Sequence, residues 1–287
     1  MGMSGALLRP KANGSHPEAL AWRDAVVANS GTVSASTLAA VTTFCRAIDS
    51  AGLRDRFYRL NLFCGDGLSA VLVPLYRGPS RTGTQYGNTT DANVNFVGGD
   101  YTLASGLTGN GSNKYLQTGV RLDLLPAGVE TNGHLSAYVR TIPNGNGIIS
   151  SYAYHNSTAA DRHQYELVPI NGRFGRETNA SGPGSPTYPG HLLVTRSSAS
   201  SMFTYHNAVS GSEVTTAITP AATGVPFTVF CRNFVQGNPP ASGTYVPTLY
   251  FSGALGAYSI GQSLSAAQVS AFNVAMVAFQ TALGRNV

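Results

Sequence analysis

The sequence predicts a mainly β chain, a sandwich or barrel, entered through helices and closed by one. Three observations carry this. Residues 18–60 place apolar side chains at helical spacing. From residue 60 the period changes to short β-branched or aromatic runs separated by Gly, Asn, Pro and Ser clusters, with no helical stretch between them. The last segment, SLSAAQVSAFNVAMVAFQTALGRNV, returns to a continuous helical stripe.

Taken in order, residues 1–17 are polar and aperiodic, an arm expected to order only against a partner. A helical attachment segment is expected over 18–62. In it Trp22, Ala25, Val26 and Asn29 share one helical face, and Gly31 stops that helix. Ser34 or Ser36 can cap a second helix lined by Leu38, Val41, Cys45 and Ile48 and ended by Gly52. A third short helix would turn Leu53, Phe57 and Leu60 inward. The sandwich is expected over 63–287. Its strands begin with LSAVLVPLYRG and NVNFVGG and run through KYLQTGVRL, HLSAYVRTI, GIISSYAY, HQYELVPI, GRFGRE, HLLVTRSS, MFTYHNAV, EVTTAI and FTVFCRN to TLYFSGALGAYSIG. Alternation of Leu135, Ala137 and Val139 suits a strand with one face on a core. The closing helix, expected over 265–283, has a Ser265–Gln268 capping box, a stripe of Val269, Phe272, Met276, Phe279 and Leu283, and Gly284 as its C-terminal cap; Arg285 would complement its dipole.

Composition narrows the function classes. Only 11% of residues are charged, against about 25% in ordinary soluble domains. Gly, Ser, Thr, Asn and Ala take their place, giving a neutral, hydrogen-bonding surface suited to extracellular, carbohydrate-facing or assembly-embedded proteins. The net charge of +5 reflects few carboxylates rather than many bases. The bases are scattered, so nucleic acid is not an expected partner. The densest group, Arg54, Arg56 and Arg59, reads either as a solvated helix face or as a contact to a neighbouring subunit. Cys45, Cys64 and Cys231 match no zinc spacing and read as buried free thiols. The first twenty residues lack a signal-peptide core, and no run is long enough to span a membrane. The expectation is a chain folded in a cytoplasm.

The stretch GLTGNGSNKYLQTG at 106–119 is a turn followed by a strand. Asn110-Gly111 supplies the turn; no Gly-Lys-Ser/Thr follows, so it is not a phosphate loop. The order Gly-Leu-x-Gly-Asn-Gly-Ser-Asn-Lys-Tyr-Leu resembles the early strand of concanavalin A-like (laminin-G-like) jelly rolls. HLSAYVRT and HLLVTRSSASSMFTYHNAV resemble later strands of that fold, with Ala208 where a hairpin glycine is usual. The helical lead-in together with the closing phrase, SIGQSLSAAQVSAFNVAMVAFQTALGR, resembles structural proteins of tailed bacteriophages and prophages that carry a lectin-like domain. The resemblance covers roughly residues 20–287. It implies a non-enzymatic virion component, on capsid, tail or fibre, with other virion proteins and further copies of itself as partners and a host-surface glycan as a ligand. In that setting Trp22, Arg54, Arg56 and Arg59 are the expected particle-attachment residues.

Catalytic groups are hard to find. Glycosidases on lectin-like sandwiches need two carboxylates flanking one bond, and the five glutamates Glu18, Glu130, Glu166, Glu177 and Glu213 are isolated. The densest polar group is YHNSTAADRHQYE at 154–166. It reads either as a ligand-facing strand edge or as an exposed hairpin tip with satisfied polar groups. The candidate ligand-binding residues are Tyr154, His155, Arg162, His163, Glu166 and Tyr188; Arg162 and Glu166 share one strand parity, His163 and Tyr165 the other. His134, His191 and His206 sit in strands as structural histidines. No cofactor is expected; a weak calcium site could draw on Asp91, Asp100, Asn110 and Asn113. The alternative reading is a carbohydrate-binding module or glycoside hydrolase.

Overall fold

The computed structural model describes residues 14–79, 83–143, 146–154, 162–169, 171–176, 180–181, 189–219, 222–236 and 246–287. Its helices are α1 (Pro17–Ala28), α2 (Ala35–Ser50), the single turn α3 (Leu68–Val71) and α4 (Ala266–Ala282). The early strands are β1 (Phe57–Asn61), β2 (Ala92–Val94), β3 (Tyr101–Thr102), β4 (Gly106–Thr108) and β5 (Tyr115–Gln117). The middle ones are β6 (Gly133–Val139), β7 (Ile149–Tyr154), β8 (Arg162–Val168), β9 (Asn171–Arg176), β10 (Ala180–Ser181) and β11 (Gly190–Ser198). The chain continues with β12 (Ser201–His206), β13 (Val209–Ser210), β14 (Thr228–Val229), β15 (Arg232–Gln236), β16 (Val246–Thr248) and β17 (Ala254–Gly261).

These strands form a two-sheet β-sandwich. The first sheet runs β13-β12-β11-β6-β17-β4-β3, with β1 also paired to β17. The second runs β10-β9-β8-β7-β14-β5-β2, and β15 joins β7 in parallel with β16 beside it. One core lies between the sheets, where Leu135, Ala137, Val139, Val194, Leu255 and Ile260 of the first meet Ile149, Tyr165, Leu167 and Phe174 of the second. A second core lies behind the first sheet, where α1, α2 and α4 pack on its other face around Phe44, Phe57, Tyr138, Leu193, Phe272 and Phe279. The order is therefore helices, first sheet, second sheet.

This third layer changes the expected one-faced alternation. β6 and β17 are buried at every position. Leu135, Ala137 and Val139 do face the inter-sheet core, but the alternate residues His134, Ser136 and Ser259 lie under the helices rather than in water. Approach between the sheets is close at Gly133, where a Cβ would stand 2.2 Å from Cζ of Phe174. Only glycine leaves room for that ring.

The capping signals act as the sequence suggests. Ser34 accepts from the Thr37 N–H at the start of α2, and Ser265 with Gln268 forms a reciprocal capping box at α4. Gly284 adopts φ 69° after α4. Asn110 Oδ1 accepts from the N–H groups of Ser112, Asn113 and Lys114 at 3.0–3.2 Å while Gly111 takes φ 72°, so the early glycine-rich stretch is a turn feeding β5.

Three local expectations are corrected. The third helix is instead a short 3-10 turn at Arg54–Arg56, followed by β1, which pairs antiparallel with β17 and so joins the first sheet. The run LSAVLVPLYRG opens with the helical turn α3 rather than a strand; the Asn61 side chain and the Asp91 N–H take the carbonyls of Val71 and Leu72 just there. Arg285 does not cap α4 alone. It is fully buried and donates to the carbonyls of Leu62, Phe63 and Gly256 at 2.7–2.9 Å and to Gln280 Oε1 at 2.6 Å. It thereby ties the C-terminus to the exit of β1. Among the described residues no helix is long and apolar enough to cross a membrane.

Candidate functional site

The described ends of the polar stretch at 154–166 belong to β7, which ends at Tyr154, and to β8, which begins at Arg162 and pairs with it antiparallel. Their register sets Ser150 opposite Glu166, Tyr152 opposite Gln164 and Tyr154 opposite Arg162. β8 continues into β9, and the pairing of Val168 with Asn171 brings Glu166 opposite Arg173. Tyr165 and Phe174 point into the inter-sheet core with rings 5.0 Å apart. Alternation then sends Glu166 and Arg173 to the other face of the sheet. β15 adds Arg232 and Phe234 there, Phe234 in register with Tyr152.

At the centre of this face Glu166 is 2% exposed. Its Oε1 accepts from Arg232 Nε at 2.7 Å, and its Oε2 from Arg232 Nη2 at 2.8 Å and Arg173 Nη1 at 3.2 Å. This is a bidentate guanidinium–carboxylate fork with a second arginine on the flank. The Arg232 guanidinium also lies 5.5 Å from the centre of the Tyr152 ring, which packs against Phe234 at 5.2 Å. Both carboxylate oxygens are occupied by donors. Three donors on one carboxylate make it a tie that holds the two arginines in place.

Of the six predicted ligand residues, His155 and Tyr188 lie outside the described residues. Tyr154 and Arg162 face each other in the ladder at the end of the hairpin. His163, opposite Arg176, keeps the parity of Tyr165 and is separated from Glu166. Sequence reasoning missed Arg173, Arg232 and Phe234. Arg173 is only seven residues from Glu166, close enough for a local signal; Arg232 is 66 residues from Glu166, and no local signal links them.

The predicted attachment residues differ in their surroundings. Trp22 is 4% exposed, and its indole N–H donates to the Val73 carbonyl at 3.1 Å. Arg59 is fully buried because it lies on β1 rather than on a helix face. It donates to Asp91 Oδ1 through Nε at 2.9 Å and Nη2 at 2.6 Å, and the Tyr258 hydroxyl donates to the same carboxylate at 2.7 Å. Arg59 is sealed in the interior, whereas Trp22 still lines a cleft beside α1. Arg54 is bound to Glu18 at 2.5 Å and to the Gly78 carbonyl at 2.7 Å and stacks 3.9 Å above the Tyr76 ring. Arg56 reaches Gln262 at 3.2 Å.

The expected calcium ligands do not assemble. Asp91 belongs to Arg59, Asp100 is ion-paired to Lys114 at 2.5 Å, and Asn110 is spent on its own turn. Donor atoms of His16, Glu18 and Asp49 do lie within 4.8 Å of one another. His16 Nδ1 already accepts from the Glu18 N–H at 3.2 Å, its Nε2 bonds Asp49 at 2.9 Å, and Glu18 holds Arg54. That group caps α1 and ties it to α2.

A chain of Ser136, Ser259 and His134, with contacts of 2.6 and 2.9 Å, has the atoms of a nucleophile and base. All three residues are at most 1% exposed, beneath α4, and burial lowers the His134 pKa to about 4. They are structural, as is His191, whose ring meets Phe272 edge-on at 4.8 Å and whose pKa burial lowers to about 3.

No family model matches this chain, and no curated protein matches it. Among solved structures it is similar to domain 4 of a GH43 extracellular arabinanase from Geobacillus stearothermophilus in complex with arabinotriose, at 17% identity and TM-score 0.34, over 57% of this chain and 74% of that one. It is also similar to a Trypanosoma rangeli sialidase in complex with sialic acid, at 11% identity and TM-score 0.40, over 81% of this chain. The chain spans 38% of that sialidase's length. The binding domain of botulinum neurotoxin DC, in complex with rat synaptotagmin II, overlaps 59% of this chain at 12% identity and TM-score 0.34. Overlaps this loose carry no functional argument.

Proposed function

We propose that this chain is a non-enzymatic recognition and assembly module, a surface component of a tailed-phage particle whose sandwich contacts host-surface glycans. The observation that carries the non-enzymatic part is the occupied state of Glu166. The best-placed acid on the polar face of the second sheet is fully engaged by Arg232 and Arg173. Glycoside hydrolysis needs an acid free to donate a proton and a second carboxylate across the scissile bond. The same face supplies what binding needs: an aromatic pair, Tyr152 and Phe234, beside fixed guanidinium and amide groups.

The particle assignment rests on the closing phrase and its helical lead-in. Those segments are the ones that form the helical layer behind the first sheet, and α4 contains no charged residue over its whole length. Such a layer suits packing against other subunits, leaving the second sheet outward.

Two measurements on the full chain test this. Binding to a glycan array, lost when Tyr152 and Phe234 are replaced by Ala in a variant that still folds, supports the recognition role. Release of reducing sugar that Glu166→Gln abolishes would instead establish a glycoside hydrolase. Failure of the protein to sediment with particles of its source refutes the virion assignment.

A further inference from the structure

A cleft of about 270 Å³ opens between α1 and a wall that includes Pro74, Leu75, Arg77, Gly78 and Gln85. Its apolar wall is Trp22, Ala21 and Pro74, and its polar wall is Arg54, Arg77 and Gln85. A second hollow of about 250 Å³ shares Ala25 and Arg77 with it. Two of the residues that the sequence marks as attachment points, Trp22 and Arg54, are thus walls of a pocket.

Arg77 differs from the arginines around it. Arg54 has Glu18 and a carbonyl, and Arg59 has Asp91. Arg77 forms no ion pair among the described residues. Among those residues its side chain makes one hydrogen bond, a 3.5 Å contact with the Thr89 carbonyl at the outer limit of such bonds. Burial, and after it the charge of Arg59, lower its pKa from the ordinary value, so the positive charge is held at a cost that a bound anion would relieve.

We propose that this cleft binds a small organic carboxylate of monosaccharide size, its carboxylate paired with Arg77 and its ring against Trp22 and Pro74. The size follows from the volume, which falls below the range of about 300–1,000 Å³ typical for drug-sized ligands. The carboxylate follows from the free fork of Arg77, which matches two coplanar oxygens. Hydroxyl groups on the ring follow from Gln85 on the same wall, whose amide can both donate to and accept from them. Acidic monosaccharides combine these features.

Trp22 is the single tryptophan of the chain, so its fluorescence reports on this cleft alone. The full chain is titrated with glucuronate, with glucose as the uncharged control and inorganic phosphate as the bare anion. Saturable quenching or enhancement by glucuronate is expected, with binding about tenfold or more weaker for Arg77→Gln, the scale of losing one charge-assisted hydrogen-bonding partner. Arg23→Gln, which removes an exposed charge from the same helix, should leave affinity unchanged. Ala21→Leu, at an exposed helical position, should block the cleft by bulk without disturbing the fold. The proposal is overturned if glucuronate gives no saturable signal, if binding survives Arg77→Gln and Ala21→Leu, or if glucose or phosphate binds as tightly.

Discussion

Acid should loosen the helical layer from the first sheet, and the structure sets the size of the effect. His134 and His191 are 0% and 2% exposed beneath α4. The first bonds Ser259 and the Gln262 carbonyl, and both rings touch Phe272. Burial lowers their pKa values to about 4 and about 3 respectively; the nearby charge of Arg56 adds to the first, and His134 and His206 add to the second. An unfolded chain binds protons at both sites from about pH 6.5 downward, whereas the folded chain resists until the lower values are reached. Stability contributed by the two neutral rings is therefore complete above about pH 7 and falls as pH drops from there toward 4. Between pH 7.5 and pH 5 each histidine accounts for about 2 kcal/mol, and together they account for about 4 kcal/mol. Urea unfolding at the two pH values measures this directly, and a His134→Gln/His191→Gln chain should show most of the dependence removed. A wild-type stability that changes by less than about 1 kcal/mol over this interval would falsify the linkage argument.

Other consequences are equally concrete. Glu166→Gln removes the charge that holds Arg232 and Arg173 and should lower unfolding free energy by about 2 kcal/mol, a buried-pair loss reduced for the partial exposure of both arginines, as read by chemical denaturation. Gly133→Ala drives a methyl into the Phe174 ring, which cannot retreat because Tyr165 backs it; a loss of about 1–3 kcal/mol and a lowered Tm are expected. Burial pushes the thiols of Cys45, Cys64 and Cys231 up to about 12, so a thiol reagent at pH 8 should leave the native chain unlabelled and modify all three after unfolding in urea. Labelling of the folded protein at any of them would contradict the packing of the two cores.

Local signals in the sequence translated into structure wherever the physics is local. Ser34, the Ser265–Gln268 pair and Gly284 mark helix ends because a cap is satisfied within a few residues of itself. Asn110-Gly111 marks a turn for the same reason. The β-rich centre was readable from its punctuation. What the alternation of β6 concealed was the covering of its second face. His134, Ser136 and Tyr138 look solvent-facing by residue type, yet they are hydrogen-bonded to Ser259, Gln262 and Asn286 under the helices. A polar residue pairs as well with another buried polar residue as with water, so polarity alone does not separate the two environments.

The same limit explains the arginines. Arg54, Arg56 and Arg59 form one cluster in sequence and have three different fates in space. The difference comes from strand β1: once residues 57–61 extend along β17, Arg59 is carried inward, and the charge is tolerated only because Asp91, 32 residues later, arrives at 2.6 Å with Tyr258 beside it. Arg54, before the strand, stops at the rim and meets Glu18 from α1. Arg77 reaches the same rim with no acid to meet it among the described residues. Whether an arginine is structural or available to a ligand is thus decided by the position of the nearest carboxylate, a long-range property that composition and spacing do not encode. It is also why the pocket beside Trp22 emerges from the fold, although two of its walls were already conspicuous in the sequence for another reason.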